Sequence, residues 1–280
     1  MEEAGRVRSA GGLNTGVRGE GPALVMVHGF ATNAGVWGPV AERLHGRRLL
    51  CPDLPGFGHS PPARAWRPEE IGTDLAALAG VDGAAWAGWS LGGLIAMAAA
   101  LEAPRRVQRL VLLSATPCFV RRAGDWDCGM DASVFDRFRA GVEAEPSRAV
   151  ARFLALAMQG DERRSEGLRA LRAIAGAAPP PDPGSMLAAL DALAGFDLRP
   201  RLNALSCPVL IVHGANDAVV PVCAAAELAR RLPRAGLAVV AGAGHAPQVS
   251  HPEVVADVVQ RFLAGGEGAA RPRRGLRGGD

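Results

Sequence analysis

The sequence predicts an α/β fold, a mostly parallel sheet flanked by helices and interrupted by a helical cap. Three observations carry that expectation. Short, wholly apolar runs recur at residues 23–27, 84–87, 110–113 and 208–212, as strands buried on both faces require. Stretches with helical spacing separate them, and this alternation is the signature of parallel βαβ units. Between Thr116 and Arg201 the rhythm stops, and only helical patterns are found.

At 280 residues the chain can bury a full core. The formal charge is +3, and the stretch from Gly265 holds four arginines against Glu267 and Asp280, so the body is close to neutral. No nucleic-acid partner is expected. All 31 basic residues are arginine, a bias of composition that carries no function by itself. The five cysteines are odd in number and lack C-x-x-C spacing, so neither a disulfide framework nor a zinc site is expected. No metal or other cofactor is expected either. Residues 1–12 lack the apolar core of a secretory signal, and no apolar run is long enough to span a bilayer. The expectation is a cytoplasmic monomer without a membrane partner.

Taken in order, residues 23–27 form a strand ending in His28-Gly29-Phe30. His28 reads as a structural residue that bonds loop carbonyls. Residues 33–44 read as a helix and 48–51 as a strand, followed by a turn rich in Pro and Gly that accounts for Asp53 and His59. Ile71, Leu75 and Leu78 mark a helix over 69–78. Strand 84–87 then meets helix 91–101 at Gly88-Trp89-Ser90-Leu91-Gly92-Gly93, and a strand follows at 110–113. The cap carries helices at 134–142, 147–158, 162–174 and 185–193, with an Ala/Pro joint at 177–183. Strand 208–212, helix 222–232, strand 237–240 and helix 253–263 complete the fold. The domain reading is therefore a core over 1–116, a cap over 117–200, a second core part over 201–264, and a disordered Arg/Gly-rich tail over 265–280.

A serine between glycines at a strand-to-helix junction is a sharp turn that holds the hydroxyl out at the sheet edge. Serine alone is a weak nucleophile, so a base and an acid must follow. Asp217, in His213-Gly214-Ala215-Asn216-Asp217, and His245, in Gly242-Ala243-Gly244-His245, each fall just past a predicted strand. Ser90 is thus the candidate nucleophile, His245 the base, and Asp217 the residue that orients the imidazole and stabilises its cation. His213 precedes the acid, and His251 stands second as candidate base.

The order Ser, Asp, His with these contexts resembles the α/β-hydrolase superfamily over the whole predicted fold. More narrowly, the chain resembles the pimeloyl-[acyl-carrier protein] methyl ester esterases of biotin synthesis. The likeness rests on residues 88–94, on Ser114-Ala115-Thr116-Pro117-Cys118-Phe119, on Arg152-Phe153-Leu154-Ala155-Leu156, and on His245-Ala246-Pro247 with Ser250-His251-Pro252. Phe30 stands where the best-known members carry tryptophan, the basic cap position near Arg164 is shifted by one, and the tail is additional.

The resemblance implies hydrolysis of the methyl ester of pimeloyl-acyl-carrier protein, with methanol released. It implies an oxyanion hole made by the backbone N–H groups of Phe30 and Leu91. Substrate contacts are expected from Phe30, Trp89, Ser90, Leu91 and Phe153. The partner is an acyl-carrier protein, docked by Arg148, Arg152 and Arg169 of the cap. Arg148 and Arg152 are four apart and share a helix face opposite the apolar stripe of Val150, Phe153, Leu154, Ala157 and Met158. The residues alone leave other outcomes open: a broad carboxylesterase, an acyltransferase, a carbon-carbon bond hydrolase, or a weakly catalytic ligand-binding hydrolase.

Overall fold

A computed structural model describes residues 5–63 and 65–265. Eight strands form one sheet in the order β1-β2-β4-β3-β5-β6-β7-β8. They are β1 (Gly5–Arg8), β2 (Asn14–Arg18), β3 (Ala23–Val27), β4 (Arg48–Pro52), β5 (Ala84–Trp89), β6 (Val107–Leu113), β7 (Val209–Gly214) and β8 (Ala235–Val240). Strands β3 to β8 pair in parallel, and the β1–β2 hairpin joins β4 antiparallel. Every residue of β5 and β7 is buried, the burial on both faces that their unbroken apolar runs demand.

The flanking helices are α1 (Gly38–Ala41), α2 (Pro68–Ala77) and α3 (Leu91–Glu102) before the cap. The cap itself consists of α4 (Ala132–Ala144), α5 (Pro146–Ala157), α6 (Arg164–Gly176) and α7 (Pro183–Gly195). After it come α8 (Val222–Arg231), the short α9 (Pro247–Ser250) and α10 (Pro252–Leu263). The cap leaves and rejoins the sheet domain at a narrow neck, where Cys118 bridges Asp197 and the Leu198 N–H donates to the Pro117 carbonyl at 2.9 Å. Its other end rests on the Asp53 turn, with the Asp182 N–H donating to the Gly56 carbonyl at 2.8 Å.

Three local features depart from the sequence expectations. The hairpin strands β1 and β2 are additional. β1 is exposed throughout, so its sequence Gly-Arg-Val-Arg shows no buried run, and its arginines blunt an open sheet edge. The helix expected over 33–44 is a 3₁₀ turn (Ala34–Trp37) and the single turn α1, because Asn33 caps Gly35 and Gly38-Pro39 restarts the chain. Cys128, in the loop entering the cap, is joined in a disulfide to Cys223 at the start of α8, contrary to the expectation of unpaired thiols. The two are 95 residues apart in the sequence. The expected tail falls, beyond Gly265, outside the described residues.

Candidate active site

Ser90 occupies the turn between β5 and α3 with φ 53° and ψ −116°, a conformation that L-residues adopt only under constraint. The constraint is close packing. A side chain at Gly88 would put its Cβ 2.3 Å from the Gly92 carbonyl oxygen, and one at Gly92 would lie 2.2 Å from that of Val27. Glycine is the residue that fits at both positions. The Ser90 N–H is tied to the Leu113 carbonyl at 2.9 Å, which fixes the turn to β6.

The imidazole of His245 lies between Ser90 and Asp217. Its Nε2 is 3.0 Å from Ser90 Oγ, and its Nδ1 is 2.8 Å from Asp217 Oδ2. All three residues are buried. With Asp217 ionised, Nδ1 carries the proton and Nε2 is left to accept from the serine hydroxyl. The other carboxylate oxygen of Asp217 accepts the N–H groups of Val219 and Val220 at 2.8 and 2.9 Å. Burial alone would raise the Asp217 pKa. The His245 charge and hydrogen bond, with help from His213 and Val220, outweigh burial and hold it below the ordinary 3.8.

Trp89 corrects an expectation. Its side chain is fully buried and does not line the cavity beside Ser90. Its Nε1–H donates to the His245 carbonyl at 2.7 Å, and its ring packs under Gly29 so closely that a Cβ there would lie 2.7 Å away. Trp89 therefore supports the histidine loop instead of touching an acyl group. Phe30 and Phe153 do line the cavity, along with Phe119, Phe138, Leu156 and Leu193. The rings of Phe30 and Phe153 meet edge to face at 5.5 Å, and Phe153 stands edge-on to His245 at 6.4 Å. The Phe30 and Leu91 N–H groups donate to no other atom among the described residues, and both residues adjoin the elbow. The Leu91 N–H, at the start of α3, has no intrahelical partner by geometry.

His28 is structural. Its Nδ1–H donates to the Gly29 carbonyl at 2.8 Å, and its Nε2 accepts the Leu54 N–H at 2.9 Å. Asp53 accepts the Ala34 and His59 N–H groups and the Asn14 amide, holding the turn after β4. The arginines at 148, 152 and 169 are all exposed. Arg148 is paired with Glu145 at 3.0 Å, while Arg152 and Arg169 have no ion pair among the described residues. Two contacts lay outside the sequence reading. His213, buried under the acid, directs Nε2 at the Val220 carbonyl (2.9 Å) with Asp217 Oδ2 at 3.3 Å. Asp161 of the cap accepts the Gly244 N–H at 2.7 Å. Neither carries a motif that would have marked it.

A Ser-His-Asp chain of hydrogen bonds at the ends of β5, β7 and β8 coincides with a match of residues 22–252 to the family profile of the alpha/beta hydrolase fold. The chain belongs to the alpha/beta hydrolase family. This hydrolase is 42% identical over 236 residues to the pimeloyl-[acyl-carrier protein] methyl ester esterase of Nitrosomonas europaea, covering 84% of this chain and 93% of that one. It is 38% identical over 254 residues to the enzyme of the same name from Xylella fastidiosa, covering 89% and 97%. Among solved structures, the esterase EaEST from Exiguobacterium antarcticum superposes with a TM-score of 0.82 over 94% of this chain and 100% of that one, at 21% identity. That likeness is one of fold. Among the described residues no helix is long and apolar enough to cross a membrane, and no cluster of three or more His, Cys, Asp or Glu is arranged to hold a metal.

Proposed function

We propose that this hydrolase is a serine carboxylesterase that converts the methyl ester of pimeloyl-[acyl-carrier protein] to pimeloyl-[acyl-carrier protein] and methanol in biotin synthesis. The observation that carries the chemistry is the buried Ser90–His245–Asp217 chain opening on an apolar cavity. The identity to the Nitrosomonas and Xylella esterases, over most of both lengths, supports the substrate.

In the first half-reaction Ser90 Oγ attacks the ester carbonyl as His245 Nε2 takes its proton. The oxyanion is received by the N–H groups of Phe30 and Leu91, which are preorganised and donate to no other atom among the described residues. His245 returns the proton to departing methanol, leaving an acyl-serine. Water then attacks the acyl-serine as His245 takes its proton, and His245 returns that proton to Ser90 Oγ as the acyl–oxygen bond breaks and the acid leaves. Asp217 stays ionised throughout and stabilises the imidazolium. Its two backbone N–H bonds prevent it from turning away from the ring. Phe30 and Phe153 hold the acyl chain, and the exposed arginines at 148, 152 and 169 dock the acidic carrier. The reading includes a monomer working in the cytoplasm.

The test is genetic and chemical together. The gene is expected to restore growth without biotin to a bacterium lacking its own esterase, and the purified protein to release methanol from the carrier-bound methyl ester. Ser90→Ala should do neither. Turnover of small free esters without carrier-bound turnover would replace this reading with a broad carboxylesterase, and turnover of neither would leave a ligand-binding hydrolase.

A further inference from the structure

The loops bearing the acid and the base are both fastened to one short stretch of the cap, the turn between α5 and α6. The His245 N–H donates to the carbonyl of Ala157, the last residue of α5, at 2.9 Å. Its neighbour Gly244 donates to Asp161 Oδ2 at 2.7 Å. The Glu162 N–H donates to the Gly242 carbonyl at 2.8 Å, and the Asn216 amide, beside Asp217, donates to the Gly160 carbonyl at 2.9 Å. Asp161 is buried, and its second oxygen accepts the Arg163 N–H at 2.8 Å, so the carboxylate also secures the entry to α6. The fit leaves no slack. A Cβ on Gly244 would lie 2.9 Å from the Ala157 carbonyl oxygen and 3.3 Å from the Asp161 Cβ.

From this arrangement we infer that Asp161 is a positioning residue for catalysis, setting the place of His245 through Gly244. The inference rests on the esterase reading above. The physical reason is leverage. Gly244 precedes the base directly, and a glycine-rich loop has little stiffness of its own, so the acceptor on the Gly244 N–H, together with the Ala157 carbonyl on the His245 N–H, fixes where the imidazole sits. A buried carboxylate gives charge-assisted hydrogen bonds to N–H donors, stronger than a neutral acceptor could supply. Without it the Gly244 N–H is buried and unsatisfied, and the loop must shift to find a partner. A shift of about 1 Å at a reacting group costs roughly 10²-fold in rate. A consequence is that α5, which carries Phe153 and two of the docking arginines, is tied at its C-terminal end to the base it serves.

The test uses the full chain and a small chromogenic acetate ester, which needs no carrier, together with the rate at which a fluorophosphonate labels Ser90. Asp161→Ala is expected to lower kcat and the labelling rate by about 10- to 100-fold, with KM changed less than threefold. Asp161→Asn keeps one acceptor oxygen and should fall between that variant and wild type. Thermal melting and circular dichroism report how much of each variant is folded. A lowered melting temperature with wild-type kcat and labelling per folded molecule would make Asp161 a structural residue only and overturn the inference, as would a change confined to KM. If Asp161→Ala does not fold, Asp161→Asn decides by the same readouts. Failure of wild type to hydrolyse the ester or to be labelled would instead overturn the esterase reading.

Discussion

The imidazole of His251 is engaged by the carboxylate of Glu162, with Nε2 and Oε1 3.0 Å apart, although His251 follows His245 by only six residues. Its other nitrogen is 2.9 Å from Ser250 Oγ. Both ring nitrogens are therefore occupied by groups outside the Ser90–Asp217 pair. His251 braces the cap against the start of α10.

The first prediction separates the two histidines. Ser90→Ala and His245→Ala should each lower ester turnover by about 10⁴-fold or more, because members of such a unit act together. His251→Ala should stay within a few-fold of wild type and lose some thermal stability. Initial rates on a chromogenic ester, normalised to folded protein, check this. Loss of activity in His251→Ala with retention in His245→Ala would reverse the assignment of the base.

A second prediction concerns the acyl chain. Phe153 is buried between Phe30 and His245 and lines the cavity, so a substrate methylene packed there leaves water. Each buried methylene is worth about 0.8 kcal/mol, and tenfold in binding is about 1.4 kcal/mol. Phe153→Ala should therefore raise KM roughly tenfold for a hexanoyl ester and less than twofold for an acetyl ester. Equal effects on both esters, with a lower melting temperature, would make Phe153 a packing residue alone.

These assignments differ in how far the sequence discloses them, and the reasons are physical. The Ser90 turn is legible because close approach of β3, β5 and α3 leaves room for glycine at 88 and 92, so sterics write themselves into the sequence. Strands β5, β6 and β7 are legible because each carries a buried, unbroken apolar run, at 84–87, 110–113 and 209–212. Helices α4 to α7 show in their apolar spacing. The β1–β2 hairpin does not show, since an exposed edge puts no constraint on polarity. Trp89 is next to Ser90 in sequence, a position that suggests contact with substrate, yet its indole Nε1–H donates to the His245 carbonyl. The Cys128–Cys223 pair and the Asp161–Gly244 bond depend on how the cap folds back over the sheet, and no local pattern encodes that contact.

A third prediction follows from the buried histidines. Burial lowers the pKa of His28 and of His213 from the ordinary 6.5, with partial opposition from Asp53 and Asp217 respectively. Well above pH 6.5 both are neutral in the folded and unfolded chain and contribute almost nothing to pH dependence. As pH falls below 6.5 the unfolded chain takes up protons that the folded chain refuses, so stability falls until the lowered pKa values are reached. Asp217 acts in a lower window, its pKa being held below 3.8, and its contribution is lost as pH falls through that folded value. Urea midpoints measured at pH 8, 7, 6 and 5 should be level at the first two and decline at the last two. His28→Gln, which keeps an acceptor for the Leu54 N–H, should make the decline shallower. A midpoint constant from pH 8 to pH 5 would show that neither histidine is held neutral.

The last prediction tests carrier docking. Arg148 and Arg152 lie on the solvent face of α5, and Arg169 on that of α6, the helix packed beside it. Glu145 partly neutralises Arg148, so Arg152 and Arg169 should contribute more than it does. A carrier of opposite charge is steered by such a patch, and the attraction is screened within about 10 Å at 0.1 M salt. Reversing all three to glutamate turns attraction into repulsion and should lower kcat/KM for the carrier-bound ester by roughly 10- to 100-fold at low ionic strength. The deficit should shrink as salt is added, because only the long-range part of the interaction is altered. Hydrolysis of a small free ester should be unchanged, since Ser90, Asp217 and His245 keep their contacts. If the triple variant turns over carrier-bound ester like wild type at low salt, the carrier docks on another face.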